Sequence, residues 1–171
     1  CFVKQLGRRF VRINFRERNM TFGNVYPIPA SRRGKAHDMG VISASKCSGS
    51  DVTTPVAAIR MGEVAIPGIT RLCFDSGSNV VSFPDTPEVR KAVSKARRKR
   101  RSEFEIMRSG SSFTSDTADD TIRFDSPPYS RIMYHSVKSC PKDASVIIVG
   151  TPILRRRAIT MDLVEMRLLI D

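Results

Sequence analysis

What most constrains this chain is a rhythm of short apolar runs separated by turn residues, which continues almost from end to end. In "FVRINFRERNMTFGNV" (10–25), Phe10, Ile13 and Phe15 stand among Arg12, Asn14 and Arg16. A polar "RERN" turn then leads into Met20-Thr21-Phe22-Gly23, so the segment predicts a hairpin. "TPVAAIRMGEVAIPG" (54–68) predicts two strands around Met61-Gly62-Glu63, and "ITRLCFD" (69–75) and "VVSF" (80–83) flank a Ser-Gly-Ser turn. Further strands are expected at 40–47, 103–108, 121–124 and 132–138. Residues 27–40, rich in Pro, Gly and charge, read as a loop, and 109–120 as a polar surface loop. The last stretch, 144–171, predicts a buried strand, a short helical turn and a closing hairpin. The chain is mainly β.

One segment breaks the pattern. "DTPEVRKAVSKARRKRR" (85–101) offers Thr86 as N-cap, Pro87 at the first helical position and Glu88 at the positive end of the dipole. Val89, Ala92, Val93 and Ala96 recur at i, i+3, i+4 and i+7, a narrow apolar stripe on a basic helix. Arg97, Arg98, Lys99, Arg100 and Arg101 complement the negative end of its dipole.

The length of 171 residues suits one domain with a real core or one half of a bilobal protein. No apolar run reaches the roughly 18 residues that a membrane-spanning helix needs. The chain opens at Cys1 without an initiator Met or a signal-type region, so it reads as a piece or a processed part of something longer. Lys and Arg number 29 against 17 acids, a formal charge of +12, which points to an acidic partner or membrane surface. Nucleic acid is not expected, because no aromatics interleave with the basic cluster to stack bases. The four cysteines show no C-x-x-C spacing and the chain has two histidines, so no metal site and no cofactor are expected. Paired cysteines would suit a secreted protein and free thiols a cytosolic one.

Asp75 is the residue with chemistry attached. It stands in "RLCFDSGSNVVSFP" (71–84), at the mouth of a Ser-Gly-Ser turn between apolar strands. Gly77 lets such a turn tighten, and the Ser78 hydroxyl and nearby backbone N–H groups can orient the carboxylate. Held about 3 Å from a second carboxylate, it would share one proton with it, because two adjacent charges cannot both ionise. Such a pair activates water against a peptide carbonyl, one carboxylate acting as base and the other as acid.

At this point the sequence resembles the pepsin-like aspartic proteases, and specifically their C-terminal lobe. "FDSGSNVVSFP" is similar to the family's active-site loop. "VIIVGTPILRRRAITMDLVEMRLLI" is similar to the lobe's ending, where Ile148-Val149-Gly150 would cross behind the loop in a psi-shaped motif. "MTFGNV" and "VAAIRMGEVAIPG" resemble two of its upstream hairpins. The resemblance spans nearly the whole chain and implies a mainly β lobe with a six-stranded psi-type barrel and one or two short helices. It implies that Asp75 is catalytic, that Ser78 hydrogen-bonds it, that Ser76 reaches toward the other lobe and that Gly77 orients the turn. Asn79 and Thr151 depart from the residues usual at those positions. It also implies a structural disulfide. The usual pairing has only Cys140 in its region and cannot be reproduced; Cys47–Cys73 is one pair that could form in its place, with Cys1 open to another chain.

No second Asp-Ser/Thr-Gly occurs in the chain, and no tyrosine hairpin reads as a flap. The leading expectation is therefore one lobe (1–171) of a bilobal aspartic endopeptidase, made as a zymogen and placed in the secretory pathway, vacuole or lysosome, or outside the cell. An N-terminal lobe or partner chain would supply the second Asp, and the substrate would bind as an extended peptide. Two alternatives stay open. One is a homodimeric retropepsin-like protease with 109–113 as flap, and the other is an inactive pepsin-fold binding protein that uses its basic surface. His37 and His135 read as ordinary surface or strand-end residues, and Asp162 as a cap or ion-pair partner near the final hairpin.

Overall fold

The structure, a computed structural model, describes residues 7–28, 36–42, 53–98, 103–108, 121–138 and 141–171. The anticipated hairpin forms from β1 (Phe10–Asn14) and β2 (Asn19–Gly23), with Arg18 at φ 53° closing the turn. β1 also pairs antiparallel with β12 (Ala158–Asp162), β12 with β13 (Arg167–Ile170), and β13 with β3 (His37–Val41). The result is a five-stranded sheet in the order β2-β1-β12-β13-β3.

The chemistry-bearing sheet holds eight strands. These are β4 (Thr53–Met61), β5 (Val64–Ile66), β6 (Arg71–Phe74), β7 (Val81–Pro84), β8 (Phe104–Arg108), β9 (Thr121–Phe124), β10 (Ile132–His135) and β11 (Val146–Val149). Their order is β10-β7-β11-β6-β4-β8-β9, with β5 on β4. Mainly β architecture is therefore as expected, but it is partitioned as five and eight strands where the resemblance implied six. Alternation explains the core. Val56, Ile59 and Met61 of β4 point inward with Leu72, Val81, Phe83, Phe104, Ile106, Ile122 and Ile147, and Ile159, Leu168 and Ile170 close the cluster from the first sheet.

Helix α1 (Pro87–Arg97) begins as its sequence dictates, Thr86 Oγ1 accepting the Val89 N–H at 3.3 Å. Val89, Val93 and Ala96 are buried, and the helix packs on β5. It ends at Arg97, the first residue of the basic run, with Arg98 as its C-cap, and 99–101 lie outside the described residues. A second, single-turn helix, α2 (Thr151–Leu154), follows β11. Two readings need correction. β3 lies inside the segment read as a loop (27–40), and of the strand expected at 40–47 only Gly40 and Val41 are in it, with 43–47 outside the described residues. Residues 109–120, with the flap proposed at 109–113, are likewise outside them.

Asp162 ties the final hairpin down as expected. Its Oδ1 accepts the N–H groups of Val164 and Glu165 at 3.0 and 3.1 Å, and its Oδ2 accepts from Arg9 Nη2 at 2.8 Å. Burial pushes the carboxyl pKa up, but the Arg9 hydrogen bond and the two backbone N–H groups outweigh it and hold the value below the ordinary range. A carboxylate depressed on folding adds stability above its unfolded pKa of about 3.9, and loses it as pH falls through the lower folded value. Asp162→Ala is expected to cost about 1–2 kcal/mol at pH 7, the size of a lost cap. In urea titrations the gap to the native chain should narrow below about pH 4; a gap constant from pH 7 to pH 3 would refute the linkage.

Candidate functional site

The site is built by one strand threading between two others. β11 lies parallel to β6, with Val149 level with Phe74, and antiparallel to β7, with Ile148 level with Ser82. The strands entering and leaving the Asp75 loop are thus clamped by a common neighbour. The loop itself is stitched to that neighbour's end. Asp75 N donates to Val149 O at 3.0 Å, Gly150 N to Val80 O at 3.1 Å, and Thr151 N and Oγ1 to Ser78 O at 2.9 and 3.1 Å. The structure thus brings Asp75, Ser78, Ile148, Val149 and Gly150 together, although some 70 residues separate the two segments.

Close approach decides which glycine matters. A Cβ on Gly150 would sit 2.4 Å from Ser78 O and 2.5 Å from Val80 O, inside backbone atoms that cannot move aside. On Gly77 it would meet only Asp75 Oδ1 at 3.4 Å, an ordinary contact, and Gly77 is absent from the positive-φ glycines. The glycine required by space is therefore Gly150, which the resemblance put at the psi crossing, and not the turn glycine Gly77.

The half-buried Asp75 carboxylate has its Oδ1 oriented by the Gly77 N–H at 3.0 Å, while Ser78 N closes the turn onto Asp75 O at 3.1 Å. The Ser78 hydroxyl corrects an expectation. It donates to Val80 O at 3.2 Å and accepts Val80 N–H at 3.3 Å, so it braces the loop's exit instead of holding the carboxylate. Ser76 is exposed. Cys73 is buried in β6, immediately before Phe74, and Cys47 lies outside the described residues.

Nothing in the residues around His135 signals what its ring touches. Its Nδ1 lies 3.0 Å from Ser82 Oγ and its Nε2 3.3 Å from Asp143 O, so the ring ties β10 to β7 and to the turn before β11. Its place is structural, at a strand end. Among the described residues no three His, Cys, Asp or Glu side chains gather to hold a metal ion.

No known family model matches the chain, and no curated protein matches its sequence. Solved structures do match its shape. Basic 7S globulin from soybean superposes with a TM-score of 0.71 over 99% of this chain at 8% identity. Conglutin gamma, a basic 7S globulin from lupine seeds, superposes at 0.60 over 99% of the chain at 10% identity. The chain spans about half the length of each, 52% and 53%. Identity so low speaks for fold alone, and the fold is pepsin-like.

Proposed function

We propose that this chain is one lobe of a pepsin-fold protein that works by binding a partner through its basic surface and does not cleave peptides. The observation that carries this reading is its end-to-end match to half of two proteins that are named as basic globulins, neither of them named as a peptidase. The +12 charge of this chain fits that company. Placement in the secretory pathway belongs to the same proposal.

A second reading keeps one specific observation in its favour. The psi crossing is intact and a backbone N–H orients the Asp75 carboxylate, which is the preparation a proton-sharing pair needs. In that reading a second Asp from another lobe, or from a second copy, would complete an endopeptidase. One carboxylate would take a proton from water while the other donates to the carbonyl oxygen.

Peptide-library cleavage from pH 3 to pH 8, with and without a statine inhibitor, separates the two when the assay uses the protein with any lobe that accompanies this chain. The expected result is no inhibitor-sensitive cleavage, and Asp75→Asn shifting stability by less than about 0.5 kcal/mol, since the Asn carbonyl keeps the Gly77 bond. Cleavage abolished both by the inhibitor and by Asp75→Asn would establish the peptidase instead.

A further inference from the structure

Helix α1 buries Val89, Val93 and Ala96, and turns Glu88, Arg90, Lys91, Ser94, Lys95 and Arg98 to solvent. Two of the helix's arginines are already engaged. Arg90 grips Asp85 through Nε and Nη2 and lies over the Tyr134 ring, 4.3 Å from its centroid. Arg97 stacks on Tyr129, which draws the Tyr129–Arg131 turn against the C-terminal half of the helix. What remains is a field of one sign. Lys91, Lys95, Arg98 and Arg131 are exposed and form no ion pair among the described residues. The helix's one acid, Glu88, stands in the first turn at the positive end of the dipole.

We infer that the Lys91–Lys95–Arg98 stripe, with Arg131 beside it, docks an extended acidic segment of another protein; this rests on the binding reading above and names its surface. The spacing fits. Lys91 and Lys95 are one turn apart, about 6 Å along the axis, and alternate side chains on one face of an extended peptide recur about every 6.6 Å. Glu or Asp two positions apart therefore meet Lys91 and Lys95, while Arg98, only about 4.5 Å further along the axis, lies nearer the adjoining residue. The helix offers a lipid surface nothing to insert, because its valines are buried, and beside Arg131 only Tyr129 and Met133 stand exposed. A nucleic acid would find one exposed ring nearby, Tyr129, where strand binding stacks successive bases on several, and Arg90 already lies over Tyr134. The docking surface thus takes in Arg98 of the basic cluster and extends back along the helix through Lys95 and Lys91.

The test uses the full chain carrying Asp75→Asn, so that cleavage of the probe cannot enter the reading. The probe is a fluorescein-labelled peptide of alternating Glu and Thr, titrated at near-physiological salt. Lys91→Gln/Lys95→Gln/Arg98→Gln is expected to weaken binding about tenfold, as three exposed charge pairs would. Arg8→Gln/Arg16→Gln/Arg18→Gln removes the same charge from exposed sites elsewhere and should change it less than twofold. Equal losses in the two variants would overturn the proposal in favour of undirected attraction to a cationic chain. Tighter binding of phosphatidylserine vesicles or of a DNA duplex than of the peptide would overturn it as well.

Discussion

Gly150→Ala is expected to destabilise the fold by about 4–6 kcal/mol, and Gly77→Ala by less than about 1 kcal/mol. The first figure has two sources. The added methyl has no room between Ser78 O at 2.4 Å and Val80 O at 2.5 Å, and forced overpacking costs about 1–3 kcal/mol. Making room pulls Gly150 N from Val80 O and Thr151 N and Oγ1 from Ser78 O, each bond worth about 1 kcal/mol net. Conformation is not the reason, because Gly150 has φ −100°, which any residue adopts. A typical domain has only about 5–15 kcal/mol in total, so this variant is expected to fall near the folding threshold. Urea unfolding followed by circular dichroism gives both numbers. A Gly150→Ala midpoint within experimental error of Gly77→Ala would mean that the crossing has slack, and the account of the psi motif would fail.

That contrast shows where the sequence was legible and where it was not. Signals that act over a few residues were readable. Thr86-Pro87-Glu88 announced the helix start, "RERN" announced the first turn, and the alternation in 54–68 announced β4 and β5. Gly77 drew attention because turns favour glycine locally, yet Gly150 is the one without space, and its crowding comes from a loop some 70 residues earlier. The same blindness applied to Ser78. Its nearness to Asp75 suggested a bond to the carboxylate, whereas the fold puts the carbonyl of Val80 within its reach. β3 was missed for a different reason. "HDMGV" offers only Met39 and Val41 as an alternating apolar pair, Gly40 sits at φ 80°, and its N–H is taken by Asp38 Oδ1 at 2.8 Å. The strand exists because β13 recruits it across a register shift between Arg167 and Leu169. Only a long-range partner makes that segment extended.

Arg12 was legible only as a polar position in an alternating strand, and it is expected to be the second most sensitive site tested. Its side chain is 9% exposed, and that of Asp171 is 8% exposed. Nη1 reaches Asp171 Oδ1 at 2.6 Å and Thr160 Oγ1 at 3.0 Å, and Nη2 reaches Asp171 Oδ2 at 2.8 Å. The hydrogen bond to Asp171 raises the already high Arg12 pKa, so the guanidinium stays charged at any working pH. Arg12→Met keeps the bulk but strands a buried carboxylate, and is expected to cost about 3–5 kcal/mol. Arg12→Met/Asp171→Leu removes both charges together. Because an apolar pair of similar volume often replaces a buried ion pair without loss, the double variant should return to within about 1 kcal/mol of the native chain. The coupling energy from the four urea curves isolates the pair from the strand that carries it. A single variant costing under 1 kcal/mol would show that water already screens the pair. A double variant no better than the single would place the damage in packing, and would sink the claim that this bridge joins β1 to the end of β13 through charge.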